Sequence, residues 1–107
     1  MPNSEEFVQK SIEILSPLGE VTTRPMFGGH GMFLDGRMFA LISKDVLYLK
    51  ADDENRAEFE RAGMKPYGKM PYYQTPPAAM GDPARLVGLG KGAVAAAIRG
   101  DRKKSKV

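Results

Sequence analysis

The chain has 107 residues, 42% of them apolar and 27% charged, which is the composition of one globular domain rather than a disordered or fibrous chain. It contains no cysteine, which excludes a disulfide framework, a thiolate zinc site and a cysteine nucleophile. The formal charge of +3 is unevenly spread: residues 99–107, RGDRKKSKV, hold five basic groups and one acidic, leaving 11 basic and 12 acidic in residues 1–98.

That division predicts a nearly neutral domain over 1–98 and a basic, disordered tail over 99–107. In the tail, Arg102, Lys103, Lys104 and Lys106 are candidate phosphate contacts, which would act through counterion release without sequence preference. The opening MPNSEEF is acidic where a secretory signal is basic, and no apolar run approaches the roughly 18 residues of a membrane span. A cytoplasmic protein with no membrane partner is expected.

A first helix should begin near Ser4, capped by Asn3 or Ser4, with Glu5 and Glu6 in the turn where the helix dipole favours acids. Phe7, Val8, Ile12, Leu15 and Leu18 recur at helical spacing, and Pro17 and Gly19 end the element. A strand is expected over Val21–Phe27, with Val21, Thr22 and Thr23 supplying β-branched residues.

Asp35-Gly36, between two apolar stretches, is the preferred two-residue hairpin turn. An unbroken register places Leu34 opposite Arg37, Phe33 opposite Met38, Met32 opposite Phe39 and Gly31 opposite Ala40. Strand alternation then groups Met32, Leu34, Phe39 and Leu41 with His30 and Arg37. The other face would carry Phe33, Met38 and Ile42 with Gly29, Gly31 and Ala40, a shallow floor for a helix.

VLYLK (46–50) is a further antiparallel strand, and Asp52 or Asp53 should cap a helix over about 53–62. Phe59 and Ala62 would point inward, with Gly63 as the stop. Pro66, Gly68 and Pro71 break the next stretch into short strands at a sheet edge. Asp82-Pro83 opens a last helix with a stripe of Leu86, Leu89, Ala93 and Ala97. Gly88, Gly90 and Gly92 weaken it by about 1 kcal/mol each relative to alanine, so its first half is expected to be irregular.

The chemical readings are weak. PMFGGHGMF (25–33) lacks the Lys-Ser/Thr of a phosphate loop and runs into a strand rather than a helix N-terminus. GLGKGA (88–93) has fewer than 20 residues after it, too few for a nucleotide-binding βαβ unit, and Lys91 is a lone phosphate contact at best. His30 has no cysteine to activate and no serine after it until Ser43, and its expected face partners Met32 and Leu41 are apolar. Asp52-Asp53-Glu54 is better explained as a helix cap than as a metal site. No catalytic residue, metal or cofactor is therefore assigned. Tyr67, Tyr72 and Tyr73, interleaved with Lys65 and Lys69, form a candidate interaction surface for protein or single-stranded nucleic acid.

The span RPMFGGHGMFLDGRMFALI (24–42), together with LYLKAD (47–52), MPYYQTP (70–76) and an alanine-rich last helix, resembles the N-terminal domain of the TfoX/Sxy family across about residues 4–98. The resemblance implies an α+β fold, an antiparallel sheet packed on helices in two layers, in the order α-β-β-β-α-β-β-α. Arg24, Met26, Phe27, Gly28, Gly29 and Gly31 match the family signature, with Asp35 and Gly36 in its hairpin turn, as structural or interaction positions. The family is named for regulators of natural competence that promote transcription of DNA-uptake genes with a cyclic-AMP-responsive activator, and it has no established catalytic residues. The resemblance therefore implies a non-enzymatic regulatory or protein-interaction module. Its partner would be a protein, either transcription machinery or a second copy, with direct nucleic-acid binding through the tail as the alternative. Full-length members carry a second, C-terminal domain where this chain has its lysine-rich tail, so a stand-alone N-terminal domain is expected.

Overall fold

A computed structural model describes residues 5–26 and 28–105, the last three by backbone alone. Phe27 and Lys106 therefore lie outside the described residues. Helix α1 (Glu5–Leu15) runs into a 3-10 turn at Ser16–Leu18, and strands β1 (Val21–Met26), β2 (Gly29–Leu34), β3 (Arg37–Ser43) and β4 (Val46–Lys50) come next. Helix α2 (Arg56–Arg61), strand β5 (Tyr72–Gln74), helix α3 (Pro77–Met80) and helix α4 (Pro83–Ser105) complete the chain. The strands form one antiparallel sheet in chain order, β1-β2-β3-β4-β5. The class is α+β, with four strands rather than three before α2. The segment before β5 adds only an isolated bridge, Pro66 to Tyr73, since proline has no N–H to extend a ladder.

The helices occupy one face. Val8 and Leu15 of α1, Phe59 of α2, Ala79 of α3 and Leu86, Leu89, Ala93 and Ala97 of α4 join Met32, Phe39, Ala40, Ile42, Leu47 and Leu49 in a single buried cluster. The apolar spacing of the first and last helices thus maps directly onto their buried sides.

Three local expectations are corrected. Asp35 and Gly36 do make the hairpin turn, with φ of 52° and 77°, but the register slips at a bulge between Met32 and Phe33. Met32 faces Ala40 and Gly31 faces Leu41. The extra residue, Phe39, lets two successive side chains, Phe39 and Ala40, both enter the core. Ile42 joins them, Leu41 moves to the opposite face, and the helices settle on the Met32 face rather than on the glycine floor.

The second correction is the helix after β4, which begins only at Arg56 and leaves Ala62 exposed. Asp52 instead organises a turn: its carboxylate accepts from the Glu54 N–H at 3.0 Å and its carbonyl from the Arg56 N–H at 2.9 Å. The third is α4, which is continuous from Pro83 to Ser105. A Cβ at Gly90 would lie 3.0 Å from Leu18 Cδ1 and 3.1 Å from Leu15 Cδ2. The missing side chain brings α1 and its 3-10 turn onto the α4 backbone, and that packing offsets the poor helix propensity. The boundary expected at residue 98 falls inside this helix.

Candidate interaction face

Strand alternation assigns the other face of the sheet to a row that crosses all five strands: Arg24 opposite Gly31, Gly31 opposite Leu41, Leu41 opposite Tyr48 and Tyr48 opposite Gln74. No described helix contributes to this face. Leu41 is nonetheless 0% exposed, and it stands apart from the main core cluster.

Glycines shape the upper half of the row. A Cβ at Gly29 would sit 2.0 Å from the Ile42 carbonyl oxygen, so β2 and β3 approach this closely only without a side chain there. A Cβ at Gly31 would meet the sulfurs of Met26 at 2.8 Å and Met38 at 3.2 Å. The space it vacates is where two thioethers lie on the sheet. Beside them the Arg24 guanidinium sits 5.1 Å from the Phe33 ring centroid, a cation–π contact. Farther across, Tyr48 and Tyr67 meet edge-on with centroids 5.0 Å apart.

The five strands contain no Asp or Glu, and their cationic residues are Arg24, Arg37 and Lys50. Arg37 is paired with Asp101 of α4 at 3.0 Å. The helix-free face is thus apolar, rich in methionine and aromatic groups, and carries the exposed Arg24, whereas Arg37 and Lys50 lie against the end of α4 beside Asp101 and Gly100.

Of the signature residues, Arg24, Met26, Gly28, Gly29 and Gly31 gather at the β1–β2 hairpin, where Gly28 takes φ +72°. Asp35 and Gly36 lie at the opposite end of β2. The three tyrosines are not brought together as one exposed surface. Tyr72 is 5% exposed, donates to the Met38 carbonyl at 3.4 Å and lies beneath the Lys50 ammonium, 5.2 Å from its ring centroid. Burial pushes its hydroxyl pKa up. Tyr73 stacks on Phe59 at 5.8 Å against the core. Tyr67 alone reaches the open face, with Tyr48, a residue that does not stand out in sequence because VLYLK looks like uniform core.

Neither glycine-rich stretch forms a phosphate cradle. Gly88, Gly90 and Gly92 are interior to α4, where backbone N–H groups are spent on the helix, and Gly28 lies in a turn with Gly29, His30 and Gly31 opening β2. His30 is half-buried between Pro25 and Ile42. Among the described residues no cluster of three His, Asp or Glu is placed to hold a metal ion, and no helix is long and apolar enough to cross a membrane.

The acidic stretch after β4 has a partner invisible in sequence. Asp52 accepts from Arg99 Nε at 2.6 Å and Nη2 at 2.9 Å, and Glu54 lies 3.2 Å from the same Nε. The paired guanidinium, foremost through these hydrogen bonds, lowers the Asp52 pKa from 3.8 to about 2. Arg99 and Asp101 therefore belong to the folded body. Arg102 is exposed on the last turns of α4, while the side chains of Lys103 and Lys104 lie outside the described residues.

Fold and face together define a two-layer α+β domain whose sheet is helix-covered on one side and free of described helices and apolar on the other. The chain belongs to the TfoX N-terminal domain family, whose model it matches over residues 13–97. A curated relative, the DNA transformation protein TfoX1 of Aliivibrio fischeri, is 34% identical over 55 residues, covering 51% of this chain and 26% of that protein. The similarity thus spans about a quarter of the relative's length.

Proposed function

We propose that this chain is a non-enzymatic regulatory module that binds another protein on the helix-free face of its sheet, in a process of the kind its relative's name denotes, DNA transformation. The observation that carries the reading is the combination of Met26, Met38, Phe33, Tyr48 and Tyr67 on a sheet whose strands hold cations and no carboxylate. Methionine and aromatic groups supply adaptable apolar contact. The charge calls for carboxylates on the partner. The strands of a second copy hold no carboxylate to meet Arg24, so the partner is a different protein that supplies one.

The test is capture of partners from the source cell with wild-type protein and with the Arg24→Glu/Tyr48→Glu double variant, alongside light scattering of the purified chain. A partner retained by wild type and lost by a folded double variant supports the reading. Equal capture by both, or a wild-type dimer abolished by the same changes, refutes it.

The alternative is nucleic-acid contact by Arg102, Lys103, Lys104 and Lys106, supported by the exposed Arg102 at the end of a continuous α4. It requires affinity that falls steeply with salt and disappears on deleting residues 102–107.

A further inference from the structure

The described residues close one edge of the sheet and leave the other bare. β5 is covered by the segment before it: the Gln74 N–H donates to the Lys65 carbonyl at 3.0 Å, and the Tyr67 N–H donates to the Tyr72 carbonyl at 2.7 Å. β1 forms the opposite edge and pairs with β2 alone.

Antiparallel pairing fixes which groups of β1 point outward. The Met26–Gly29 pair closes the hairpin and exchanges both of its bonds, and the pattern alternates from there. Arg24 and Thr22 therefore bond to β2, while Val21, Thr23 and Pro25 direct their backbone groups away from it. Among the described residues no hydrogen bond reaches those outward groups. Proline blunts a sheet edge by withholding a donor. Pro25 does so only near the end of the strand. The N–H groups of Val21 and Thr23, and the carbonyls of all three residues, are left for an extended backbone.

The side chains state what that backbone carries. Thr22 and Arg24 are exposed, and both lie on the helix-free face, Arg24 against the Phe33 ring. No strand supplies a carboxylate to Arg24. We infer that the protein partner adds an extended segment to the β1 edge as a further antiparallel strand, with a carboxylate opposite Arg24. This strand addition presupposes that the partner docks on the helix-free face, which the new strand would continue. Main-chain bonds supply affinity in such pairing, and alternate side chains supply specificity.

The isotope-labelled chain is titrated with the blocked pentapeptide acetyl-VEVTV-amide while its amide spectrum is recorded. In the antiparallel register the glutamate lies opposite Arg24 and the third residue opposite Thr23. Saturable shifts are expected at the Val21 and Thr23 amides. N-methylation of the third residue deletes a donor aimed at the Thr23 carbonyl and should weaken binding at least about tenfold. The N–H of the fourth residue points away, so its methylation should change affinity by less than about twofold. Lysine in place of the glutamate should weaken binding about threefold or more. Equal affinity of the two methylated peptides overturns the proposal, as do saturable shifts confined to other strands or no saturable shift at all. Concentration-dependent shifts of Val21 and Thr23 in the free chain would put a second copy on that edge and overturn it too. Thr23→Pro deletes an outward donor and leaves the ladder to β2 intact. Partner capture retained by Thr23→Pro but lost with Arg24→Glu/Tyr48→Glu overturns the strand addition and leaves docking on the face standing. Loss with both folded variants supports it.

Discussion

Replacing Arg99 with methionine keeps most of its aliphatic stem and deletes the guanidinium that ties α4 to the turn after β4. Lowering the Asp52 pKa from 3.8 to about 2 corresponds to roughly 2.5 kcal/mol of preferential stabilisation of the carboxylate. The side chains of Arg99 and Asp52 are 27% and 25% exposed, so solvent screens part of this and about 1–2 kcal/mol is expected. Because the folded-state pKa is depressed, the contribution is complete above the unfolded value of 3.8 and is lost as pH falls through about 2. Urea unfolding of wild type and Arg99→Met between pH 2 and pH 7 should show a gap of about 1–2 kcal/mol at neutral pH that closes toward pH 2. A gap that stays constant across the range would mean that packing of the stem, not the ion pair, supplies the stability. No gap at pH 7 would refute the reasoning outright.

Gly29→Ala places a methyl 2.0 Å from the Ile42 carbonyl oxygen; loss of the cooperative unfolding transition, or a destabilisation above about 3 kcal/mol, is expected by urea titration. The α4 glycines should separate by position. Gly88→Ala meets open space on an exposed turn and should stabilise the chain by about 0.5–1 kcal/mol, whereas Gly90→Val forces Leu15 and Leu18 aside and should lower the thermal midpoint. Phe59→Ala, at a ring 1% exposed and stacked on Tyr73, should cost about 3–5 kcal/mol in the same assay.

The face itself was partly legible. Arg24, Met26, Gly29 and Gly31 stand out because three glycines in four positions have no good explanation as ordinary strand. Phe33 and Met38 pair as the Asp-Gly turn requires. Leu41 was missed because the bulge between Met32 and Phe33 reverses the side on which the rest of β3 presents its residues, and Tyr48 because VLYLK reads as uniform core. A bulge leaves no mark in a run such as MFALIS, where every residue is apolar or small. Tyr72 and Tyr73, read as surface from their basic neighbours, are drawn inward by Met38, Lys50 and Phe59, none of which is adjacent in sequence.

Three element boundaries were local matters that the sequence alone determined, whereas the start of α2 and the end of α4 were not. Pro17 and Gly19 stop the first helix, Asp35-Gly36 turns the hairpin, and Asp82-Pro83 starts the last helix, because each acts through φ, ψ or a cap within a few residues. Only the tertiary structure decided that α4 would stay helical through its glycines and into the basic end. The close approach of Leu15 and Leu18 at Gly90 and the Arg99–Asp52 and Arg37–Asp101 pairs join residues 47 to 75 positions apart. Helix propensity weighs residues one at a time, and contacts at that separation enter only when the sheet and helices meet.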